Sequence, residues 1–102
     1  MADGSMVGVT VEGRQILIGR MGGDFYAMDA VCSHLSGYLP KGRLEKGVVT
    51  CPVHGAQFDI TTGRVVKNVG MSIRMATRRE ATDLKTYKVK VVGDEVLVAV
   101  NR

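Results

Sequence analysis

Several residue types that commonly form the core, the rigid turns or the disulfides of a small protein are scarce in this chain. The 102 residues include no tryptophan, three tyrosines, two phenylalanines, two prolines and two cysteines. Two cysteines are too few for a disulfide framework. No apolar run approaches the roughly 20 residues of a membrane span, and residues 1–5 show neither the basic start nor the apolar run of a signal peptide. We therefore expect a cytoplasmic protein with no membrane association.

The chain length and the net charge restrict the number of domains and the kinds of partner that we expect. A chain of 102 residues predicts one domain, spanning 1–102. The formal charge is +4, but the basic residues are scattered, and no basic run is interleaved with aromatics. The densest cluster, Arg74, Arg78 and Arg79, favours a solvated basic face that could steer an acidic partner. We expect a monomer that binds no nucleic acid.

Alternating apolar residues predict strands along most of the chain. Val7, Val9 and Val11 have the period of two that is typical of a strand, and Tyr87, Val89 and Val91 repeat it near the end. Strands are predicted at residues 7–11, 15–20, 25–31, 43–44, 48–50, 57–60, 64–67, 87–91 and 96–100. Thirteen glycines supply tight turns between them. Eight to ten short strands with glycine-rich turns indicate an all-β sandwich or small barrel.

Residues 68–83 show no such pattern. Met71 to Ala81 contains fair helix formers, but it has no clean apolar face and no convincing cap. We expect this segment to be irregular, with room for a turn of helix.

All of the cysteines and histidines of the chain fall in two short segments. Cys32 and His34 form a Cys-x-His pair, and Cys51 and His54 form a Cys-x-x-His pair. Thiolate and imidazole are the side chains that bind borderline-soft metals best. In each pair the cysteine lies nearer the preceding strand and the histidine nearer the loop tip. Joining the two loops therefore sets two sulfurs inside and two imidazoles outside.

Two metal centres use such a ligand set. A two-iron, two-sulfide cluster can take both cysteines on one iron and both histidines on the other. A single tetrahedral zinc can use two cysteines and two histidines, although the mixed Cys-x-His pair matches the usual zinc-finger spacing poorly. A Cys32–Cys51 disulfide would leave both histidines unexplained.

The two-part motif resembles that of the Rieske iron–sulfur family. Cys32-Ser33-His34 and Cys51-Pro52-Val53-His54-Gly55 carry the resemblance, and the intervening segment and the C-terminal hairpin extend it to nearly the whole chain. The resemblance implies an all-β fold, a Rieske-like antiparallel β-sandwich with a small cluster-binding subdomain whose loops fall within about residues 31–60. It also implies one [2Fe-2S] cluster per chain, with Cys32 and Cys51 on the buried iron and His34 and His54 on the outer iron.

Neighbouring residues indicate which branch of the family the chain resembles. High-potential members carry an extra cysteine in each loop, where this chain has Gly37 and Val53, and carry hydroxyl donors where it has Ala56 and Phe58. Donors to sulfur stabilise the reduced cluster and raise its potential, so we expect a low potential, about −150 mV. The predicted cluster environment comprises Leu35, Gly37, Pro52, Val53, Gly55, Ala56 and Phe58.

The resemblance implies an electron carrier, and no catalytic residue is predicted. Soluble Rieske-type ferredoxins pass single electrons from a flavin-dependent reductase to a terminal oxygenase or another redox enzyme. An accessory subunit of a nitrite-reductase-like enzyme is the alternative within the family, and a zinc-stabilised structural module is the alternative outside it. The chain departs from the family in having no proline in residues 69–79 and a tyrosine at Tyr38, where a proline is frequent.

Overall fold

Antiparallel strands account for most of the fold. The computed structural model describes residues 2–33, 37–78 and 80–100. The strands are β1 (Met6–Val11), β2 (Arg14–Met21), β3 (Asp24–Asp29), β4 (Arg43–Glu45), β5 (Val48–Thr50), β6 (Gln57–Asp59), β7 (Val65–Lys67), β8 (Thr86–Val92) and β9 (Glu95–Ala99). A 3₁₀ turn at Leu39–Lys41 precedes β4, and one helix, α1 (Met71–Thr77), lies between β7 and β8.

The strands form two antiparallel sheets. The larger sheet has the order β1-β2-β3-β8-β9, and the smaller one has the order β4-β5-β6-β7. The all-β prediction is confirmed. The whole smaller sheet and α1 are inserted between β3 and β8, which pair through Ala27 with Tyr87 and Met28 with Thr86. The predicted cluster loops therefore belong to the smaller sheet and its junction with the larger one.

Short turns set the register of the hairpins. The turns Glu12-Gly13, Gly22-Gly23 and Lys46-Gly47 have positive φ at both residues. This is the geometry whose twist matches that of paired antiparallel strands, and glycine adopts it at little steric cost. The first two of these turns lie in the gaps between the strands predicted at 7–11, 15–20 and 25–31.

Strand β2 separates two apolar cores. Leu17 packs into the larger core, whose fully buried side chains include Phe58, Met28 and Ile60. Ile16, on the opposite face, packs into a smaller core with Ile18, Ala27 and Tyr87. The larger core also contains both cysteines, so the predicted sulfur ligands are buried with the larger set of apolar side chains.

The C-terminal hairpin is less buried than its pattern predicted. Tyr87 is 7% exposed, whereas Val91, on the same alternating face, is 52% exposed. Burial falls along β8 because β8 pairs with β3 only near its start. Beyond that point, among the strands that the structure describes, β8 pairs with β9, from Lys88 to Val92.

The expectation of an irregular segment at 68–83 is wrong for Met71–Thr77, which form a regular helix of seven residues. None of the helix residues is fully buried, and its N-cap Gly70 makes no side-chain capping bond. The helix therefore lacks a buried face and a capping side chain, the two signals by which a helix is recognised in a sequence. Within the described ranges, no helix is long and apolar enough to cross a membrane.

Side chains anchor the segment that leads from α1 to β8. We call residues 81–85 the strap. The Asn68 amide donates to the carbonyl of Ala81 at 3.0 Å and accepts from the Ala81 N–H at 2.9 Å. Farther along, the Asp83 carboxylate accepts from the N–H of Val65 at 2.9 Å. The strap is thus held by side-chain hydrogen bonds although it is not part of either sheet.

Candidate metal centre

The first ligand loop is closed at its base by backbone hydrogen bonds. Val31 forms an isolated antiparallel bridge with Tyr38, and the N–H of Cys32 donates to the carbonyl of Gly37 at 2.8 Å. Cys32 therefore sits at the point where the paired backbone opens into the loop. The predicted residues His34 and Leu35 lie outside the part of the chain that the structure describes.

The second ligand loop has the same closure. The N–H of Cys51 donates to the carbonyl of Ala56 at 2.8 Å, and the N–H of Gly55 donates back to the carbonyl of Cys51 at 3.2 Å. Gly55 has a φ of 78°, which an L side chain rarely adopts. In both loops the cysteine N–H bonds to the carbonyl five residues later, so the two cysteines occupy equivalent positions.

Gly37 brings the two loops into contact. A Cβ atom built on Gly37 would lie 2.7 Å from the Cys51 sulfur and 2.8 Å from Cγ2 of Val53. No side chain fits in that space, so glycine allows the first loop to lie directly against the second. The same Cβ would lie 3.5 Å from Cβ of Val53, at the short end of the separation found in disulfides, about 3.5–4.5 Å. The positions that carry the extra cysteines in high-potential relatives are therefore neighbours here.

The described site residues divide by depth. Cys32 and Cys51 are each 3% exposed, and no disulfide joins the two. Pro52 and Val53 are exposed at the tip of the second loop, and His54 is partly exposed. The Nδ1 atom of His54 is nevertheless inaccessible to solvent, so the ring directs this nitrogen inward. Of these residues, the cysteines are the more deeply buried and the histidine lies nearer the surface.

The positions of the missing hydroxyl donors are buried. Ala56 is 1% exposed, and Phe58 is completely buried in the core that contains both cysteines. Neither side chain can donate a hydrogen bond. The surroundings of the Cys51 loop are accordingly apolar at these two places.

The strap is bonded to the first ligand loop. The Ser33 hydroxyl donates to the carbonyl of Thr82 at 2.6 Å and accepts from the N–H of Thr82 at 2.9 Å. Sequence reasoning assigned no role to Ser33 or to Asn68. A serine that directly follows a proposed ligand is the available signal, because short hydroxyl side chains often bond to backbone groups, but the partner cannot be read from the sequence.

The arginine cluster is partly neutralised. Nη1 of Arg74 lies 3.6 Å from a carboxylate oxygen of Glu80. Arg78 is exposed at the C-terminal end of α1, with a left-handed φ of 56°. Arg79 lies outside the described residues. The net positive charge of this segment is therefore smaller than its three arginines suggested.

The donor set fits a soft metal centre. Two buried thiols lie in equivalent loop positions, and the described histidine turns one ring nitrogen inward. Thiolate and imidazole are the ligand types of iron–sulfur and zinc sites. Among residues 2–33, 37–78 and 80–100, no three His, Cys, Asp or Glu side chains surround a single point closely enough to hold one metal ion. A binuclear cluster needs only two protein ligands on each iron.

Comparison with known proteins identifies the relatives of this chain. The Rieske [2Fe-2S] domain family matches residues 1–88. The chain is 32% identical over 96 residues to the naphthalene 1,2-dioxygenase system ferredoxin component of Pseudomonas aeruginosa, covering 94% of this chain and 83% of that protein. It is 38% identical over 82 residues to sulredoxin of Sulfurisphaera tokodaii, covering 80% and 73%.

A solved structure agrees with these relatives. The fold superposes with a TM-score of 0.82 on a chain in the complex of reduced oxygenase and oxidized ferredoxin in carbazole 1,9a-dioxygenase. The two chains are 29% identical, and the match covers 97% of this chain and 92% of that one.

Proposed function

Because this chain belongs to the Rieske [2Fe-2S] domain family and binds one [2Fe-2S] cluster, we propose that it is a one-electron carrier that supplies a terminal oxygenase. The cluster provides a single one-electron couple when bound. The observation that carries the proposal is the pair of equivalent cysteine loops, closed by matching hydrogen bonds, in a chain whose relatives are ferredoxin components.

We propose that Cys32 and Cys51 bind the inner iron, and that His34 and His54 bind the outer one. Both thiols are buried, whereas His54 is partly exposed with Nδ1 turned inward. These positions support His54 as a ligand through Nδ1. A histidine at the protein surface shortens the path of an electron to a docked partner, and buried sulfurs protect the other side of the cluster from water.

The apolar neighbours of the second loop support a low potential. Ala56 and Phe58 leave two positions near Cys51 without a hydroxyl donor. Since such donors stabilise the more negative, reduced cluster, their absence favours a potential near the lower end of the Rieske range, about −150 mV. A carrier of that potential is suited to accept electrons from a flavin and to pass them to an oxygenase.

The finer aspects of the role follow from this proposal. A flavin-dependent reductase would reduce the protein, which acts as a cytoplasmic monomer forming one domain over residues 1–102. The relative in Pseudomonas aeruginosa is a ferredoxin component of a dioxygenase system, and the solved complex pairs a ferredoxin with an oxygenase. Both favour a terminal oxygenase as the electron acceptor.

Stopped-flow mixing tests the function. The chemically reduced protein is mixed with an oxidised Rieske-type terminal oxygenase, and the visible absorption of both is followed. We expect single-electron reoxidation of the carrier, at most one electron per chain. Val91→Ala serves as a control that alters an exposed side chain of β8 and leaves both ligand loops intact. Absence of electron transfer to any oxygenase tried, with transfer to a nitrite reductase instead, would overturn the proposal in favour of an accessory subunit.

A further inference from the structure

Ser33 is the residue between the two proposed ligands of the first loop. Its hydroxyl makes two hydrogen bonds to one residue, donating to the carbonyl of Thr82 at 2.6 Å and accepting from the N–H of Thr82 at 2.9 Å. The two residues are 49 positions apart. A side chain that engages both the donor and the acceptor of a backbone unit substitutes for a neighbouring strand, because it satisfies the groups that a strand would pair.

Asn68 does the same for the preceding residue of the strap. Its amide bonds to both the carbonyl and the N–H of Ala81, at 3.0 and 2.9 Å. The backbone of residues 81–82 is therefore held by two side chains, one from the end of β7 and one from the first ligand loop. Because Asn68 fixes this backbone independently, Ser33 binds to a stationary support.

The first loop needs such a support more than the second. The second loop connects two paired strands, β5 and β6, whose register runs from Val48 with Asp59 to Thr50 with Gln57. The first loop follows β3 and is closed at its base by a single isolated bridge, Val31 with Tyr38. Less of the sheet therefore constrains the backbone that carries Cys32.

We infer that Ser33 is a positioning residue for the metal centre. Its hydroxyl holds the first ligand loop against the backbone of Thr82 through the two hydrogen bonds. The inference rests on the proposed ligand set, since Ser33 acts through the residues on either side of it. The proposed effect of the hydroxyl on the cluster is indirect and requires no contact between the two. It restricts the backbone at residue 33 and thereby limits the directions in which the adjacent ligands can point.

Substitutions at two positions separate the hydroxyl from the size of the side chain. Ser33→Ala removes both hydrogen bonds, and Ser33→Val removes them while adding bulk. Ser33→Thr keeps a hydroxyl and has nearly the shape of valine, so Thr and Val form a matched pair. Thr82→Ala is the control on the other side of the contact, because both bonds use the backbone of Thr82.

Three measurements on cluster-loaded protein give the readout. The first is the rate of cluster loss in the presence of an iron chelator, followed by bleaching of the visible absorption. The second is the electron paramagnetic resonance spectrum of the reduced state, and the third is the midpoint potential. A residue that contributed only to the stability of the fold would leave the last two unchanged in the molecules that remain loaded.

We expect Ser33→Ala and Ser33→Val to lose the cluster about thirtyfold faster than the parent, the effect of two net hydrogen bonds. We also expect broader resonance lines and a shifted midpoint potential in both, with Ser33→Thr and Thr82→Ala close to the parent. If Ala and Val fail to load a cluster while Thr loads normally, the hydroxyl is likewise required.

Two outcomes would overturn the inference. One is an alanine variant that matches the parent in all three measurements, and the other is a threonine variant impaired as much as valine. The spectrum of the parent protein keeps this test distinct from that of the ligand set. If the parent lacks a histidine-ligated signal, the proposed ligands are wrong; if the parent has that signal and Ser33→Ala retains it unchanged, only the role of Ser33 fails.

Discussion

At the scale of single residues, contact between the two ligand loops depends on the absence of a side chain at Gly37. Gly37→Ala would place a methyl group 2.7 Å from the Cys51 sulfur and 2.8 Å from Cγ2 of Val53, closer than nonbonded carbon and sulfur atoms approach. We expect a loss of about 1–3 kcal/mol in unfolding free energy, as for other overpacked sites, together with reduced iron and sulfide content after purification.

Gly70→Ala is the matched control for this substitution. A Cβ on Gly70 meets nothing within 4 Å, and its φ of −61° suits any residue. Chemical denaturation and iron analysis of the two variants, side by side, measure the difference. Equal iron content and equal stability in Gly37→Ala and Gly70→Ala would show that the loops do not need this close approach.

The missing hydroxyl donors give a second prediction at the residue scale. Ala56→Ser combined with Phe58→Tyr should raise the midpoint potential, because donors to sulfur favour the reduced cluster. One net hydrogen bond of about 1 kcal/mol corresponds to about 40 mV for a one-electron couple. Each single variant should give part of the shift in a redox titration, and an unchanged or lower potential in the double variant would contradict the account.

The proposed ligand residues could be assigned from the sequence because every cysteine and histidine fell into two spaced pairs. The contacts that support them could not. A Cβ on Gly8 would lie 1.9 Å from the hydroxyl oxygen of Tyr38, so the ring of Tyr38 rests on the bare backbone of β1. Nothing in the local pattern of either residue indicates a contact that spans thirty positions of the chain.

At the scale of elements, the junction between β3 and β8 depends on a polar cluster beside their short pairing. The Tyr87 hydroxyl donates to Asp29 at 2.5 Å and accepts from Arg14 at 3.5 Å. Burial, and then the hydrogen bond to Asp29, raise the pKa of Tyr87 above its ordinary value of 10.0. The cluster joins the strand that precedes the metal loops to the strand that follows the strap.

Tyr87→Phe should therefore lower the free energy of unfolding by about 1–3 kcal/mol, because it leaves a polar partner unsatisfied. Since the folded pKa of Tyr87 is raised, its contribution is complete below pH 10 and is lost as the pH rises through the raised value. Urea unfolding of the parent and the variant at pH 8 and above pH 10 measures this. A difference between them that stays constant with pH would contradict the prediction; Tyr26→Phe is the control for removing a hydroxyl from the adjacent strand.

The elements themselves were predictable to different degrees. Strands with alternating residues and glycine turns, such as β1 and β2, were predicted close to their observed ends. Helix α1 was missed because it has no fully buried residue and no side-chain cap. The position of the strap could not have been predicted, because its backbone groups bond to the side chains of Asn68 and Ser33. These residues lie 13 and 49 positions from their partners in the strap.

At the scale of the whole molecule, the formal charge of +4 favours association with an acidic surface. The arginine cluster contributes less than its sequence suggested, because Arg74 is paired with Glu80. Arg78 remains exposed at the end of α1, and the strap that follows the helix is bonded to the first ligand loop. Arg78 is therefore connected to the first ligand loop through the strap.

The rate of association with an oxygenase should consequently fall as salt is raised, since the Debye length shortens from about 30 Å at 0.01 M to about 8 Å at 0.15 M. Arg78→Ala should lower the rate at low salt more than Lys90→Ala, which removes an equal charge from the C-terminal hairpin. Stopped-flow rates across a salt series measure both effects. Rates that do not change with salt, or equal effects of the two variants, would count against steering from this segment.

The arrangement of the two sheets could not be predicted from the sequence pattern. Alternation indicated an all-β fold, and the family resemblance indicated a sandwich with a small subdomain. The order β1-β2-β3-β8-β9 depends on a pairing of β3 with β8 that follows an insertion of more than fifty residues. Such long-range pairing is set by packing and by loop closure, neither of which leaves a local signal.

The central claim is that two cysteines and two histidines of this chain hold one [2Fe-2S] cluster. The most direct test is the electron paramagnetic resonance spectrum of the dithionite-reduced protein, with iron and sulfide measured on the same sample. We predict two irons and two sulfides per chain, with the low average g value of a cluster that has histidine on one iron. A colourless protein that contains zinc, or a reduced spectrum typical of four cysteine ligands, would contradict the account.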